Sequence, residues 1–288
     1  MRRYLFLLFF FASILLKAQA TNYTMSVASH SFHSTILKEE RFFDIYTPAD
    51  IKSAKIKPAE IIYVLDGAAH FTTVIELLKQ LAKETRDSSF SRKIVVGIGN
   101  IWARDKDYTP THVMYSSFID SNAAKVSGGG EQFISFLKKE LIPYVDSIFP
   151  VAAKRILIGH SLGGLMVVHT LFKHTALFNK YAAIDPSMWW DDQRLLKQAK
   201  IQLANKKFEN SSLFLGVANT SSKDMLDAAA IRKDTSRKTA LNRPSVLLAD
   251  YINANAKLSF EWKYYKNLDH MSVFRSAVYD GLKFLLKP

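Results

Sequence analysis

A serine flanked by glycines is the residue of this chain best placed to do covalent chemistry. The segment reads Gly159–His160–Ser161–Leu162–Gly163 and follows the apolar run Ile156–Leu157–Ile158. Between a buried strand and a helix, a Gly-x-Ser-x-Gly segment makes a sharp turn that exposes the serine hydroxyl, and glycine on either side avoids crowding that turn. We therefore predict that Ser161 is a nucleophile for an ester carbonyl. The Leu162 N–H, at the start of a helix, would bind the resulting oxyanion.

A serine hydroxyl needs a neighbouring base, and His270 is the best candidate. It follows a predicted strand that ends near Tyr265 and precedes a predicted closing helix at Ser272–Leu286. Serine hydrolases with this strand–turn–helix motif present serine, acid and histidine in that order along the chain, with the histidine after the last strand. This position predicts that His270 removes the proton from Ser161.

The same chain order predicts an acid just after the predicted strand at 211–217. Asp224 is the first carboxylate there and is our predicted acid; Asp227 is the next. Either aspartate also suits a helix cap. The alternative is a serine–histidine dyad in which Asn219, Thr220 or a main-chain carbonyl orients the imidazole.

A second oxyanion donor is expected from the loop after the predicted strand Glu60–Asp66. The N–H of Gly67 or Ala68 is the candidate, since glycine permits an unusual backbone turn there.

The elements that must position these residues alternate between strand and helix patterns. Strands separated by helical segments of ten or more residues indicate right-handed crossovers, a mostly parallel sheet and helices on both faces. We predict an α/β fold with an N-terminal antiparallel hairpin. The remaining predicted elements are a hairpin at 31–46, helices at 71–85 and 131–148 with a break or kink at Pro143, and strands at 93–98, 156–158, 181–185 and 258–265.

Length and composition predict one exported domain. The chain has 288 residues, a net charge of +13 and no cysteine, which excludes cysteine nucleophiles and thiolate metal sites. Residues 1–20 have a basic start, an apolar run and a small-x-small site at Ala18–Gln19–Ala20, which predicts a signal peptide cleaved near Ala20. Residues 21–288 are then a single domain without a stable membrane span. The basic residues are scattered, so we do not predict nucleic-acid binding.

Several of these motifs resemble those of the esterase D-like branch of the α/β-hydrolases, which includes siderophore trilactone esterases. The resemblance covers nearly all of the predicted mature chain and is carried most specifically by the serine motif and by Pro186–Ser187–Met188–Trp189–Trp190. It implies an α/β-hydrolase fold and the roles given above to Ser161 and His270. Asn219–Thr220 and Asp185 depart from the family's usual pattern, which commonly has Asn-Glu and Ser at these positions.

The resemblance also suggests that the loop with Trp189 and Trp190 borders the substrate. Arg104 is a candidate for binding an anionic or catecholate-like group, unless it pairs with Asp105 or Asp107. His160 is counted with these substrate-binding candidates.

We therefore expect a serine hydrolase of small-molecule carboxylic esters that needs no metal or organic cofactor. The alternatives are an acyltransferase or carbohydrate-acyl esterase with the same site, or a binding protein of this fold that has lost its acid.

Overall fold

The computed structural model describes most of the chain after residue 25. The described residues are 26–48, 51, 60–99, 102–115, 117–118, 120–149, 154–205, 208, 210–220 and 227–287. The predicted signal peptide and the predicted acid Asp224 lie outside these residues.

Eight strands form one sheet in the order β1-β2-β4-β3-β5-β6-β7-β8. The first two strands are antiparallel to each other, β2 is antiparallel to β4, and all other neighbours are parallel. The predicted mostly parallel sheet with an N-terminal hairpin is therefore confirmed. The strands are β1 Ser26–Ser34, β2 Glu39–Thr47, β3 Glu60–Val64, β4 Ile94–Ile98, β5 Lys154–His160, β6 Lys180–Ile184, β7 Ser212–Ala218 and β8 Ser259–Tyr265.

Helices cover both faces of this sheet because its central strands are apolar on both sides. In β3, Ile61 and Tyr63 pack on one face, whereas Ile62 and Val64 pack on the other, against α1 and α10. The helices are α1 Gly67–Thr85, α2 Arg104–Asp107, α3 Ser121–Val126, α4 Gly130–Phe136, α5 Ile142–Ile148, α6 Leu162–Lys173, α7 Trp190–Asn205, α8 Ala228–Lys233, α9 Arg243–Asn255 and α10 Val273–Leu285.

The predicted irregularity at Pro143 is present, as a change of helical register instead of a break. A π-helical segment at Leu137–Leu141 joins α4 to α5, and the Ile142 N–H donates to the Leu137 carbonyl, five residues back. Proline lacks an N–H and its ring crowds the carbonyl four residues earlier, so the wider π turn accommodates it without ending the helix.

None of the described helices is both long enough and apolar enough to cross a bilayer.

Candidate active site

Ser161 lies at the turn between β5 and α6, as predicted. Its backbone has φ 60° and ψ −120°, a combination that residues other than glycine rarely adopt. Two main-chain hydrogen bonds hold the turn: the Ser161 N–H donates to the Ile184 carbonyl over 3.0 Å, and the Ser187 N–H donates to the Ser161 carbonyl over 3.0 Å. The serine is therefore fixed to the end of β6 and to the segment that follows it, and it lines a cavity there.

The two flanking glycines differ in how much they are needed. A Cβ on Gly159 would lie 2.4 Å from the Gly163 carbonyl oxygen, so this position has no room for a side chain. A Cβ on Gly163 would meet its nearest neighbour, the Leu65 Cβ, at 3.4 Å, an ordinary contact. The prediction that space requires glycine on both sides of Ser161 is correct for Gly159 and wrong for Gly163.

His270 occupies the loop between β8 and α10, and a buried aspartate holds its ring. Its Nδ1 lies 2.6 Å from Asp185 Oδ2, and that carboxylate's other oxygen accepts the Ala218 N–H over 2.9 Å. The Asp185 side chain is only 6% exposed, whereas His270 is 37% exposed. With Nδ1 donating to Asp185, Nε2 is the ring nitrogen left to act as a base.

Sequence reasoning overlooked Asp185 because it expected the acid one strand later, after β7. Asp185 directly follows β6, which neighbours the serine-bearing β5 in the sheet. Side chains at the carboxyl ends of adjacent parallel strands converge at one edge, so this position was a usable signal.

Asn219, one of the residues proposed to orient the imidazole in a dyad, makes other contacts. The Asn219 amide donates to the Lys266 carbonyl over 2.9 Å, and its N–H donates to the Leu268 carbonyl over 2.8 Å. Asn219 therefore fastens the end of β7 to the loop that carries His270, while the Asp185 carboxylate contacts the imidazole itself.

His160 supports the same loop, which corrects our expectation that it binds substrate. It is buried, is not among the residues lining the cavity, and its Nε2 donates to the His270 carbonyl over 2.9 Å. The two rings lie 4.5 Å apart. Burial is the largest cause that lowers the pKa of His160 to about 3, and its close approach to the His270 ring adds to this effect. At neutral pH it is an uncharged hydrogen-bond donor to the loop.

The cavity beside Ser161 has a volume of about 760 Å³. The two tryptophans behave differently around it. Trp189 lines the cavity, with its ring 5.2 Å from that of Phe118. Trp190 is only 3% exposed and donates through Nε1 to the Thr111 carbonyl over 3.1 Å. Trp189 therefore borders the cavity, whereas the ring of Trp190 belongs to the core, away from the place that we expected for it.

Arg104 also lines the cavity, but its charge is already paired. Its Nε and Nη2 lie 2.9 Å and 3.1 Å from the two carboxylate oxygens of Asp66. The sequence offered Asp105 or Asp107 as partners; the structure instead pairs Asp107 with Arg41. Arg104 therefore contributes N–H donors more than net positive charge.

The oxyanion candidates lie at the N-termini of two helices. Leu162 begins α6 and lines the cavity, whereas Gly67 and Ala68 begin α1 and are not among the cavity residues. The unusual backbone expected at Gly67 occurs one residue earlier, at Asp66 with φ 53°. Gly67 is instead required by packing, because a Cβ there would lie 2.5 Å from the Gly97 carbonyl carbon.

Comparisons with known proteins agree with this architecture. Residues 34–280 match the family described as "Putative esterase". A siderophore enterobactin esterase of Emericella nidulans is 27% identical over 252 residues, 80% of this chain and 82% of that protein. The ferri-bacillibactin esterase BesA of Bacillus subtilis is 26% identical over 239 residues, 79% of this chain and 79% of that protein. The crystal structure of an IroE-like serine hydrolase from Shewanella oneidensis has a TM-score of 0.78 at 29% identity, covering 90% of this chain and 79% of that one. These similarities and the sheet topology confirm the predicted α/β-hydrolase fold.

Proposed function

Since the chain belongs to this esterase family and is a carboxylic ester hydrolase, we propose that it works through a Ser161–His270–Asp185 triad. The observation that carries the proposal is the 2.6 Å hydrogen bond between His270 and Asp185 at the cavity that Ser161 also lines. This carboxylate also argues against a binding protein that has lost its acid.

In the proposed reaction, Ser161 Oγ attacks the ester carbonyl carbon while His270 Nε2 takes its proton. Asp185 keeps the other proton on Nδ1 and stabilises the imidazolium that forms. The oxyanion accepts the Leu162 N–H and one N–H from Gly67 or Ala68. These are the first groups of α6 and α1, which have no partner within their own helices.

Collapse of this intermediate breaks the ester C–O bond, and His270 returns the proton to the leaving alcohol. A water molecule then attacks the acyl-enzyme with His270 again acting as base, which releases the acid and restores Ser161.

The substrate we propose is a small-molecule ester of the siderophore type, by analogy with the named activities of the relatives. The cavity supports a bulky, partly aromatic ligand, since Phe118, Trp189 and Met271 line it beside the reacting serine.

The site of action we propose is outside the cytoplasm, after cleavage of the signal peptide near Ala20. N-terminal sequencing of the protein recovered from the exported fraction should begin at or close to Thr21; an intact Met1 would refute this processing.

A substitution of the nucleophile tests the function most directly. Ser161→Ala should lower kcat for p-nitrophenyl butyrate by at least about 10⁴-fold, because the covalent step is lost. Its melting temperature should stay close to that of the parent. Ser147→Ala, an exposed serine on α5, is the matched control and should keep full activity.

A fluorophosphonate probe gives an independent readout, since it should label the parent protein and the Ser147→Ala variant but not Ser161→Ala. Retained hydrolysis or labelling in Ser161→Ala would exclude Ser161 as nucleophile.

A further inference from the structure

Two histidines and a glutamate meet at the opposite end of α6 from Ser161. Glu131 lies in the first turn of α4, His169 lies in α6, and His174 directly follows that helix. Each residue offers one potential ligand atom, and the three atoms lie within 4.8 Å of one another. Within the described part of the chain this is the one group of three such residues, and none of them lines the Ser161 cavity.

The donor atoms are arranged almost as a metal would require. Glu131 Oε1 lies 2.7 Å from His169 Nε2, and Oε2 lies 3.0 Å from His174 Nε2. Zinc binds histidine nitrogen and carboxylate oxygen at about 2.0–2.2 Å, which separates tetrahedral donors by about 3.3 Å. All three atoms lie within 4.8 Å of one another, so side-chain adjustment alone could bring them around one metal ion.

The local electrostatics differ between the exposed carboxylate and the buried imidazole. Burial by itself would raise the pKa of Glu131, but its contacts with His169 and His174 outweigh burial and lower it. Burial lowers the pKa of His169 despite the nearby carboxylate.

The site is closed on one side and open on the other. The His169 side chain is 5% exposed, whereas those of His174 and Glu131 are 30% and 56% exposed. Glu131 and His169 also border a cavity of about 180 Å³ that Lys173 and Arg194 help to line. With three protein ligands in place, a water molecule or an anion next to these two cations would be the fourth ligand.

We propose that Glu131, His169 and His174 form a three-ligand Zn²⁺ site that fastens the start of α4 to the end of the nucleophile-bearing helix α6. Two imidazoles and one carboxylate are a donor set that zinc commonly uses. The site lies outside the reaction centre and does not take part in ester hydrolysis, so the proposal is independent of the proposed function.

Calorimetric titration of the mature protein with ZnCl₂, without chelating buffers, tests the site. We expect one equivalent of Zn²⁺ to bind, and its affinity to fall at least tenfold in Glu131→Gln and in His174→Ala. The Gln variant keeps the shape and a carbonyl oxygen but loses the charge that zinc needs. His33→Ala is the matched control, since His33 is an exposed histidine that also pairs with a glutamate, Glu40, and it should bind zinc like the parent.

Thermal unfolding supplies a second readout that does not depend on activity. At zinc concentrations about 100-fold above Kd, the melting temperature should rise by roughly 5–10 °C in the parent and in His33→Ala, but not in Glu131→Gln. Absence of binding, or equal binding by the parent, Glu131→Gln and His174→Ala, would overturn the proposal. Zinc binding that is abolished only when His270 is replaced would also overturn the proposal, because it would place the metal at His270.

Discussion

Replacing Asp185 by asparagine is the sharpest test of the triad, because the change keeps the shape and removes only the charge. The Asp185 carboxylate accepts two N–H groups, from Ala218 and from His270 Nδ1. An asparagine can accept only with its oxygen. If that oxygen faces Ala218, its NH₂ group faces Nδ1 and forces the ring proton onto Nε2, the nitrogen that must take the proton from Ser161.

In the opposite orientation the amide oxygen accepts the His270 Nδ1–H, which keeps the productive tautomer. Its NH₂ group then faces the Ala218 N–H, so two buried donors oppose each other. An unpaired buried donor costs about 1–3 kcal/mol, so this orientation is populated in roughly one molecule in 5 to 150. Within that fraction the imidazolium faces a neutral oxygen in place of a carboxylate, which removes about another 10-fold or more in rate. Together these effects predict a loss in kcat of at least about 50- to 1,500-fold. Asp→Asn in a serine protease triad costs about 10⁴-fold, which lies beyond this minimum.

The assay is p-nitrophenyl butyrate hydrolysis by the parent, Asp185→Asn and Asp224→Asn, with melting temperatures recorded for all three. Asp224→Asn is the matched control, because Asp224 is the acid predicted from chain order, and it should lose less than threefold. A folded Asp185→Asn enzyme that keeps more than a tenth of the parent kcat would refute the role of Asp185. A large loss in Asp224→Asn would restore the acid predicted from the sequence.

Three further substitution experiments follow from the geometry. Gly159→Ala should lower the free energy of unfolding by about 3 kcal/mol or more, because its Cβ would meet backbone atoms. Gly163→Ala should change it by less than about 1 kcal/mol in the same urea titrations. Equal effects would contradict the difference in free space around the two glycines. Trp190→Ala should lower the free energy of unfolding by about 3–5 kcal/mol, because it truncates a core side chain. Trp189→Ala should leave this free energy nearly unchanged and raise KM for aromatic esters. The reverse pattern would show that Trp189, not Trp190, is the core residue. His160→Phe keeps a buried ring but removes the donor to the His270 carbonyl, so kcat should fall about tenfold with KM unchanged; an unaltered kcat would mean that this hydrogen bond does not position the loop.

Local patterns in the sequence were sufficient to predict the sheet and the nucleophile turn. The serine motif combines turn chemistry with a buried strand on one side and a helix on the other, so each signal supports the others. His270 was also found from local context, between the last strand and the closing helix. Such features depend on neighbours in the chain, which a sequence displays directly.

What the sequence did not reveal depends on contacts between distant segments. The Asp185–His270 pair joins residues 85 positions apart, and the Arg104–Asp66 pair joins residues 38 apart. The adjacent rings of Trp189 and Trp190 have the same residue type and nearly the same position. Only the three-dimensional course of the chain after β6 separates the one at the cavity from the one in the core.

The origin of Asp185 at the end of β6 has a consequence for how this enzyme can diversify. The segment leaving β7, where the predicted acid was sought, begins with Asn219 and Thr220, and both border the cavity. In the proposed triad the neighbouring strand supplies the carboxylate, so Thr220 would have no part in proton transfer. Under that proposal, exchanges at Thr220 should alter which esters are accepted without removing a catalytic group, so this part of the cavity can vary independently of the acid.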